Sequence, residues 1–266
     1  MLMDEYITIK LDGNLPILAT AIHNGHYLSK KLAQRFALSE SDQLREEDPF
    51  TWIWTGITEN RIVAHRSRFE FDLNRPPEKA VYMLPADAWG LQVWRNKPSP
   101  KMVAESLRRY AEIYQNFHVT IKELVKRFGA LVVFDLHSYN HRRNGPDAPP
   151  EDTSLNPEIN IGTGTMDRVY WGSLVDSFMA DLQGVDFLGR HLDVRENIKF
   201  KGGYFPKWIH DNFNKSVCCL SIEVKKFFMD EWTGEPDHSM INAIGKALKS
   251  TVPGVLEELS KRKRNP

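Results

Sequence analysis

The sequence predicts an α/β fold, with a central mixed, largely parallel sheet flanked by helices. Three stretches carry that expectation. Residues 130–136 and 217–224 are nearly continuous apolar runs of strand length, the pattern of strands covered on both faces. Ahead of the first run, Val103, Leu107, Tyr110, Tyr114, Phe117, Ile121, Leu124 and Phe128 recur at alternating spacings of four and three, which draws one apolar stripe along a helix. Gly129 stands where a helix-closing glycine belongs. Buried strands alternating with helices mark the α/β class, in which function collects at the carboxyl ends of the strands.

The remaining elements follow in order. Residues 7–11 and 17–22 read as strands, the second opened by Pro16, where a missing N–H is tolerated. Residues 29–36 read as a short helix with Ser29 as its N-cap. A short strand is expected over 61–65 and irregular chain over the Pro- and Trp-rich 85–100. Residues 144–165, rich in Pro, Gly, Asn and Asp, predict a loop long enough to act as a lid. Helices are expected over 168–182 and within 238–259, and the basic stretch 261–264 reads as a solvated end. With no repeat and no linker, residues 1–266 are read as one domain.

Composition narrows the function. The 266 residues are 41% apolar and 26% charged, enough to bury a large core. Lys plus Arg and Asp plus Glu are 35 each, so no global field draws the chain to nucleic acid or to a membrane. No apolar run approaches spanning length, and the acidic start does not read as a signal peptide. Cys218 and Cys219 are adjacent within a predicted strand, where neighbours point to opposite faces, so they read as packing residues. These features predict a reduced, soluble, cytoplasmic protein; the oligomeric state is left open.

Three polar clusters sit at the ends of predicted strands: Ile22-His23-Asn24-Gly25-His26, Phe134-Asp135-Leu136-His137-Ser138, and Ile222-Glu223-Val224-Lys225-Lys226. His23 and His137, with a third ligand from His26 or an acid, would supply a zinc site with a position left for water. Asp135 or a backbone carbonyl would hold a histidine's other nitrogen. Glu223 would then move the proton between attacking water and leaving amine. One acid of the turn Arg45-Glu46-Glu47-Asp48 could also serve as a ligand. Residues 65–76 are dense in guanidinium groups. Arg68, Asn74 and Arg75 suit a substrate carboxylate, whereas Arg66, Glu70 and Asp72 could instead form salt bridges. Arg142 and Arg143 add positive charge after the His137 strand. There is no P-loop, no dinucleotide fingerprint after a strand and no G-x-S-x-G elbow.

In this order, His23-Asn24-Gly25-His26, Arg45 to Thr51, His65 to Pro76, Phe134 to Arg143 and Ile222 to Glu231 resemble the N-formylglutamate amidohydrolase family, similar in fold to zinc carboxypeptidases and aspartoacylases. The resemblance implies zinc held by His23 and His137, Glu223 as general base, and Asn74-Arg75 as the grip on a substrate carboxylate. It implies that Arg68 either shares that grip or polarises the scissile carbonyl, with Arg66 and Arg142 as further substrate-binding candidates. His26 stands where carboxypeptidase-like enzymes carry a glutamate ligand, so either His26 replaces it or Glu47 or Asp48 supplies the third ligand. The function implied is metal-assisted hydrolysis of an amide bond next to a carboxylate, in an N-acyl amino acid or short peptide. The competing reading is a non-catalytic protein of the same fold that binds a carboxylate metabolite in the arginine pocket.

Overall fold

The computed structural model describes residues 2–264 and the side chains of residues 4–262. Eight strands form one sheet: β1 (Leu2–Met3), β2 (Ile7–Leu11), β3 (Ile17–Ala21), β4 (Asn60–Ala64), β5 (Leu131–Tyr139), β6 (Ile159–Gly162), β7 (Val194–Glu196) and β8 (Val217–Lys225). Their order is β1-β2-β4-β3-β5-β8-β6-β7. The central strands β4, β3, β5 and β8 run parallel, as do β6 and β7, while β1·β2, β2·β4 and β6·β8 are antiparallel.

Among the described residues eight α-helices surround it: α1 (Lys30–Ala33), α2 (Glu40–Glu46), α3 (Thr51–Trp54), α4 (Pro100–Phe128), α5 (Arg168–Gly184), α6 (Tyr204–Phe213), α7 (His238–Ser250) and α8 (Val252–Arg264). The long helix closes on Gly129 at φ 82°, a left-handed conformation that glycine adopts without steric cost. The expected final helix is two, because Pro253 has no N–H to continue α7 and instead suits the first turn of α8. The basic end belongs to α8, with Lys261 paired to Glu257 and Glu258; the side chains of Lys263 and Arg264 lie outside the described set. No described helix is long and apolar enough to cross a membrane.

Period-two alternation divides the core. On one face Val132, Phe134 and Leu136 of β5 and Cys218, Leu220 and Ile222 of β8 pack with α5, α7 and α8. On the other, Leu131 and Val133 of β5 and Val217 and Cys219 of β8 pack with α4 and α6. Continuing along that second face, the side chains turn polar: Asp135 and His137 on β5, Ser221 and Glu223 on β8. The two strands are in register with His137 opposite Glu223. The α4/α6 face therefore changes from core to chemistry within one strand.

The loop expected over 144–165 is corrected. Its end is strand β6, all four residues buried between β8 and β7. Its middle is tied down by Lys225 Nζ to Asn156 O at 3.0 Å, by Arg195 to Ser154 O at 2.6 Å and by Tyr139 to Pro157 O. Residues 154–162 are thus held in the fold rather than free to act as a lid.

Candidate active site

His23, two residues beyond β3, and His137, on β5, lie with ring centroids 4.9 Å apart. Their outer nitrogens are fixed by buried carboxylates: His23 Nε2 to Asp72 Oδ1 at 2.7 Å and His137 Nε2 to Asp135 Oδ2 at 2.9 Å. Thr20 Oγ1 donates to the other oxygen of Asp135 at 2.8 Å. The inner nitrogens converge on one oxygen: Asp48 Oδ2 is 3.4 Å from His23 Nδ1 and 3.0 Å from His137 Nδ1. Candidate ligand atoms of His23, Asp48 and His137 all lie within 4.8 Å of one another, and all three residues are buried. Two imidazoles and a carboxylate, each imidazole backed by a second carboxylate, form a donor set that fits zinc.

The electrostatics favour a cation. Burial opposes the charged form of His137, yet Asp135, Glu223 and Asp48 hold its imidazolium well above the usual range. Burial likewise opposes charge on Asp48 and Asp72, but the histidines and Arg68 keep both carboxyls well below theirs. Asp48, Asp72 and Asp135 thus surround the two imidazoles, an acidic setting that suits a cation. Glu223 differs: burial pushes its carboxyl up to about 7, against the pull of His137. No hydrogen bond or ion pair among the described residues holds it, although it lines the cavity. A carboxyl that is buried, unpartnered and poised near neutrality is suited to proton transfer.

These groups line a cavity of about 340 Å³. Asn74 lines the wall with its orientation fixed, because Oδ1 accepts from the Phe205 N–H at 2.9 Å, at the start of α6. Close contact at this point demands Gly203, whose Cβ, if present, would lie 2.2 Å from Asn74 Oδ1. Arg75 stays partly exposed, stacked over Tyr82 at 4.5 Å and 3.6 Å from Asp72. Arg68 is largely engaged: it donates to Asp72 Oδ2 at 2.7 Å, to Tyr82 Oη at 3.3 Å and to Glu46 O at 3.3 Å. Trp89 stands at the rim with the guanidiniums of Arg68, Arg75 and Arg143 within 5.9 Å of its ring. The segment 199–203, of which the sequence showed only Gly202-Gly203 as turn glycines, also lines the cavity beside Asn74.

The structure separates the other candidates from this cluster. His26 Nδ1 pairs with Glu47 Oε2 at 2.6 Å, and Glu47 also accepts from Ser67 and from Gln43 at 2.8 Å. His26 and Glu47 therefore satisfy each other, and Asp48 completes the triad. Arg66 faces away, into a second cavity of about 730 Å³. There it pairs with Glu5 and approaches Glu70 at 3.8 Å. Arg142 donates to Pro146 O away from the cleft; its neighbour Arg143 lines the cleft and grips Glu46 with two bonds of 3.0 Å. Neither Arg66 nor Arg142 lines this cleft. Lys226 is a residue that sequence reasoning left without a role; burial brings its ammonium down to about 8, and it too lines the cleft.

Comparison with known proteins agrees with this architecture. The profile of the N-formylglutamate amidohydrolase family matches residues 15–229, a span that contains every strand-end cluster above. The chain belongs to the N-formylglutamate amidohydrolase family. One similar solved structure is the N-formylglutamate amidohydrolase of Ralstonia eutropha JMP134, with a TM-score of 0.72 at 17% identity over 98% of this chain and 100% of that one. A gene product of Agrobacterium tumefaciens is similar too, with a TM-score of 0.71 at 16% identity over 98% and 97% of the two chains. No curated protein matches the sequence. At such identities the structural likeness establishes the fold; family membership supports a hydrolase acting on C–N amide bonds.

Proposed function

We propose that this single-domain family member uses zinc held by His23, Asp48 and His137 to hydrolyse the amide bond of an N-acyl amino acid or short peptide next to a carboxylate. The observation that carries the proposal is the buried pair of carboxylate-backed imidazoles turned toward one aspartate, with an unpartnered Glu223 in the same cleft. Zinc, when bound, would polarise the scissile carbonyl and acidify water. Glu223 takes a proton from the attacking water and passes it to the leaving amine, a role that its buried, unpartnered carboxyl in the cleft suits. Arg75 and the amide nitrogen of Asn74 receive the substrate carboxylate at the partly exposed end of the cleft. Arg68 contributes chiefly by holding Asp72, and through it His23. A cleft of about 340 Å³ suits a small ligand more than a long peptide. The free buried cysteines fit a reducing compartment, the cytoplasm.

The test combines metal content with turnover. Purified protein should carry about one zinc per chain, lost in the His23→Ala, His137→Ala double variant. A screen of N-acyl amino acids, N-formylglutamate among them, should then find a substrate. Glu223→Gln should keep the metal and lose at least about a hundredfold in kcat. Failure of the wild type to take up zinc, or normal turnover in Glu223→Gln, would overturn the mechanism.

A further inference from the structure

The turn that carries Asp48 is electrostatically improbable as a free segment. Glu46, Glu47 and Asp48 are consecutive, and all three carboxylates are buried. They diverge toward three different partners: Glu46 to Arg143, Glu47 to His26, Asp48 to the two cluster histidines. The turn also forms the carboxyl end of α2, where unpaired carbonyls and the helix dipole already concentrate negative charge. Side-chain partners compensate each carboxylate, and Arg68 and Thr51 Oγ1 hold the carbonyls of Glu46 and Asp48, which leaves the carbonyls of Arg45 and Glu47.

Lys226 meets that need. Its side chain is almost fully buried, with the whole residue 1% exposed. Nζ donates to Arg45 O at 2.5 Å and to Glu47 O at 2.8 Å, the carbonyls on either side of Glu46. Its own N–H is fixed to Tyr139 O at 2.9 Å, at the end of the strand that bears His137. A second hydrogen bond ties the turn to the other histidine, from Asp48 N–H to His23 O at 3.0 Å. The ammonium thus connects the end of the β5/β8 pair to the backbone immediately before Asp48.

Resting on the zinc site proposed above, we infer that Lys226 is the positioning residue for the third metal ligand: it clamps the carbonyls of Arg45 and Glu47 so that Asp48 meets His23 and His137. It touches neither the metal nor the reacting bond. Its neighbour provides an internal comparison. Lys225 is also buried, comes from the same strand end, and clamps a different segment through Asn156 O at 3.0 Å. A general loss of packing would affect both lysines; a role in placing Asp48 belongs to Lys226 alone.

Zinc affinity, measured by competition with a chromophoric chelator, separates the two. Lys226→Met should bind zinc about 10- to 100-fold more weakly than wild type, the range seen when a group that orients a ligand is removed. Lys225→Met should stay within about threefold of wild type while lowering Tm. If Lys226→Met does not fold, Lys226→Arg carries the test, because its longer planar head cannot place both donors as the ammonium does; a loss of about threefold or more is expected. Wild-type affinity in whichever Lys226 variant folds, or equal losses in the Lys225 and Lys226 variants, overturns this role and leaves the zinc site standing. A wild-type chain that takes up no zinc removes the role and the proposed function together.

Discussion

Protonating His210 should destabilise the fold through a bond that involves none of the proposed metal ligands. Its Nε2 accepts the backbone N–H of Cys219 at 3.0 Å, so the ring proton sits on Nδ1, 3.2 Å from Thr165 Oγ1. The bond ties α6 to β8, and α6 starts at the Gly203 wall of the cleft. Burial brings the imidazole from 6.5 down to about 4, against smaller upward pulls from Thr165 and Asp211. Above pH 6.5 the ring is neutral in both folded and unfolded chains, and its contribution to stability is complete. Between 6.5 and about 4 the unfolded chain takes up a proton that the folded one refuses, so stability falls with pH until the folded pKa is reached. At about 1.4 kcal/mol per pH unit the interval is worth roughly 3 kcal/mol, and partial exposure of the ring reduces this to about 2. The assay is urea unfolding of chelator-treated wild type and His210→Gln from pH 7 to pH 4. Glutamine keeps an acceptor for the Cys219 N–H and removes the titration, while every other carboxylate and histidine cancels in the difference. Wild type should lose about 2 kcal/mol more than the variant over that range. Parallel pH curves for the two proteins would refute the reasoning.

Two further outcomes are expected. Arg75→Ala should raise KM about tenfold or more for carboxylate-bearing substrates while kcat changes little, because in the proposed mechanism the guanidinium holds the substrate carboxylate equally in ground and transition state; an unchanged KM removes Arg75 from that role. Gly203→Ala would bring a methyl to 2.2 Å from Asn74 Oδ1, so the asparagine must swing away and give up its bond to Phe205 N–H. A loss of about 1–2 kcal/mol in thermal unfolding, together with a higher KM, is expected, and a variant indistinguishable from wild type would show that Asn74 is not held there.

Part of this molecule was legible because its signals are local. The stripe from Val103 to Phe128 and the apolar runs of β5 and β8 are periodicities that backbone geometry imposes on any buried helix or strand. Helix α6 carried a usable signal in Phe205, Trp208 and Ile209, at helical spacing, which the sequence reading passed over. Strand β6 carried almost none: Ile159-Asn160-Ile161-Gly162 is too short for a period to show and is set among loop-forming residues. It is a strand because β8 and β7 supply its hydrogen-bonding partners on either side.

The site divides along the same line. The sequence by itself determined that His23, His137 and Glu223 come from strand ends, and that Asp135 shares a face with His137, since side chains alternate along a strand wherever it is placed. It could not choose among His26, Glu47 and Asp48, or tell Arg143 from Arg142, because each choice is between close neighbours whose side chains diverge. In the tertiary structure Ser67 and Gln43 draw Glu47 toward His26, while Lys226 holds the backbone beside Asp48, which meets a histidine 89 residues away. The physical reason is one of range. A period is written in neighbouring residues, whereas a ligand's direction is fixed by the packing of elements remote in sequence, which no local pattern records.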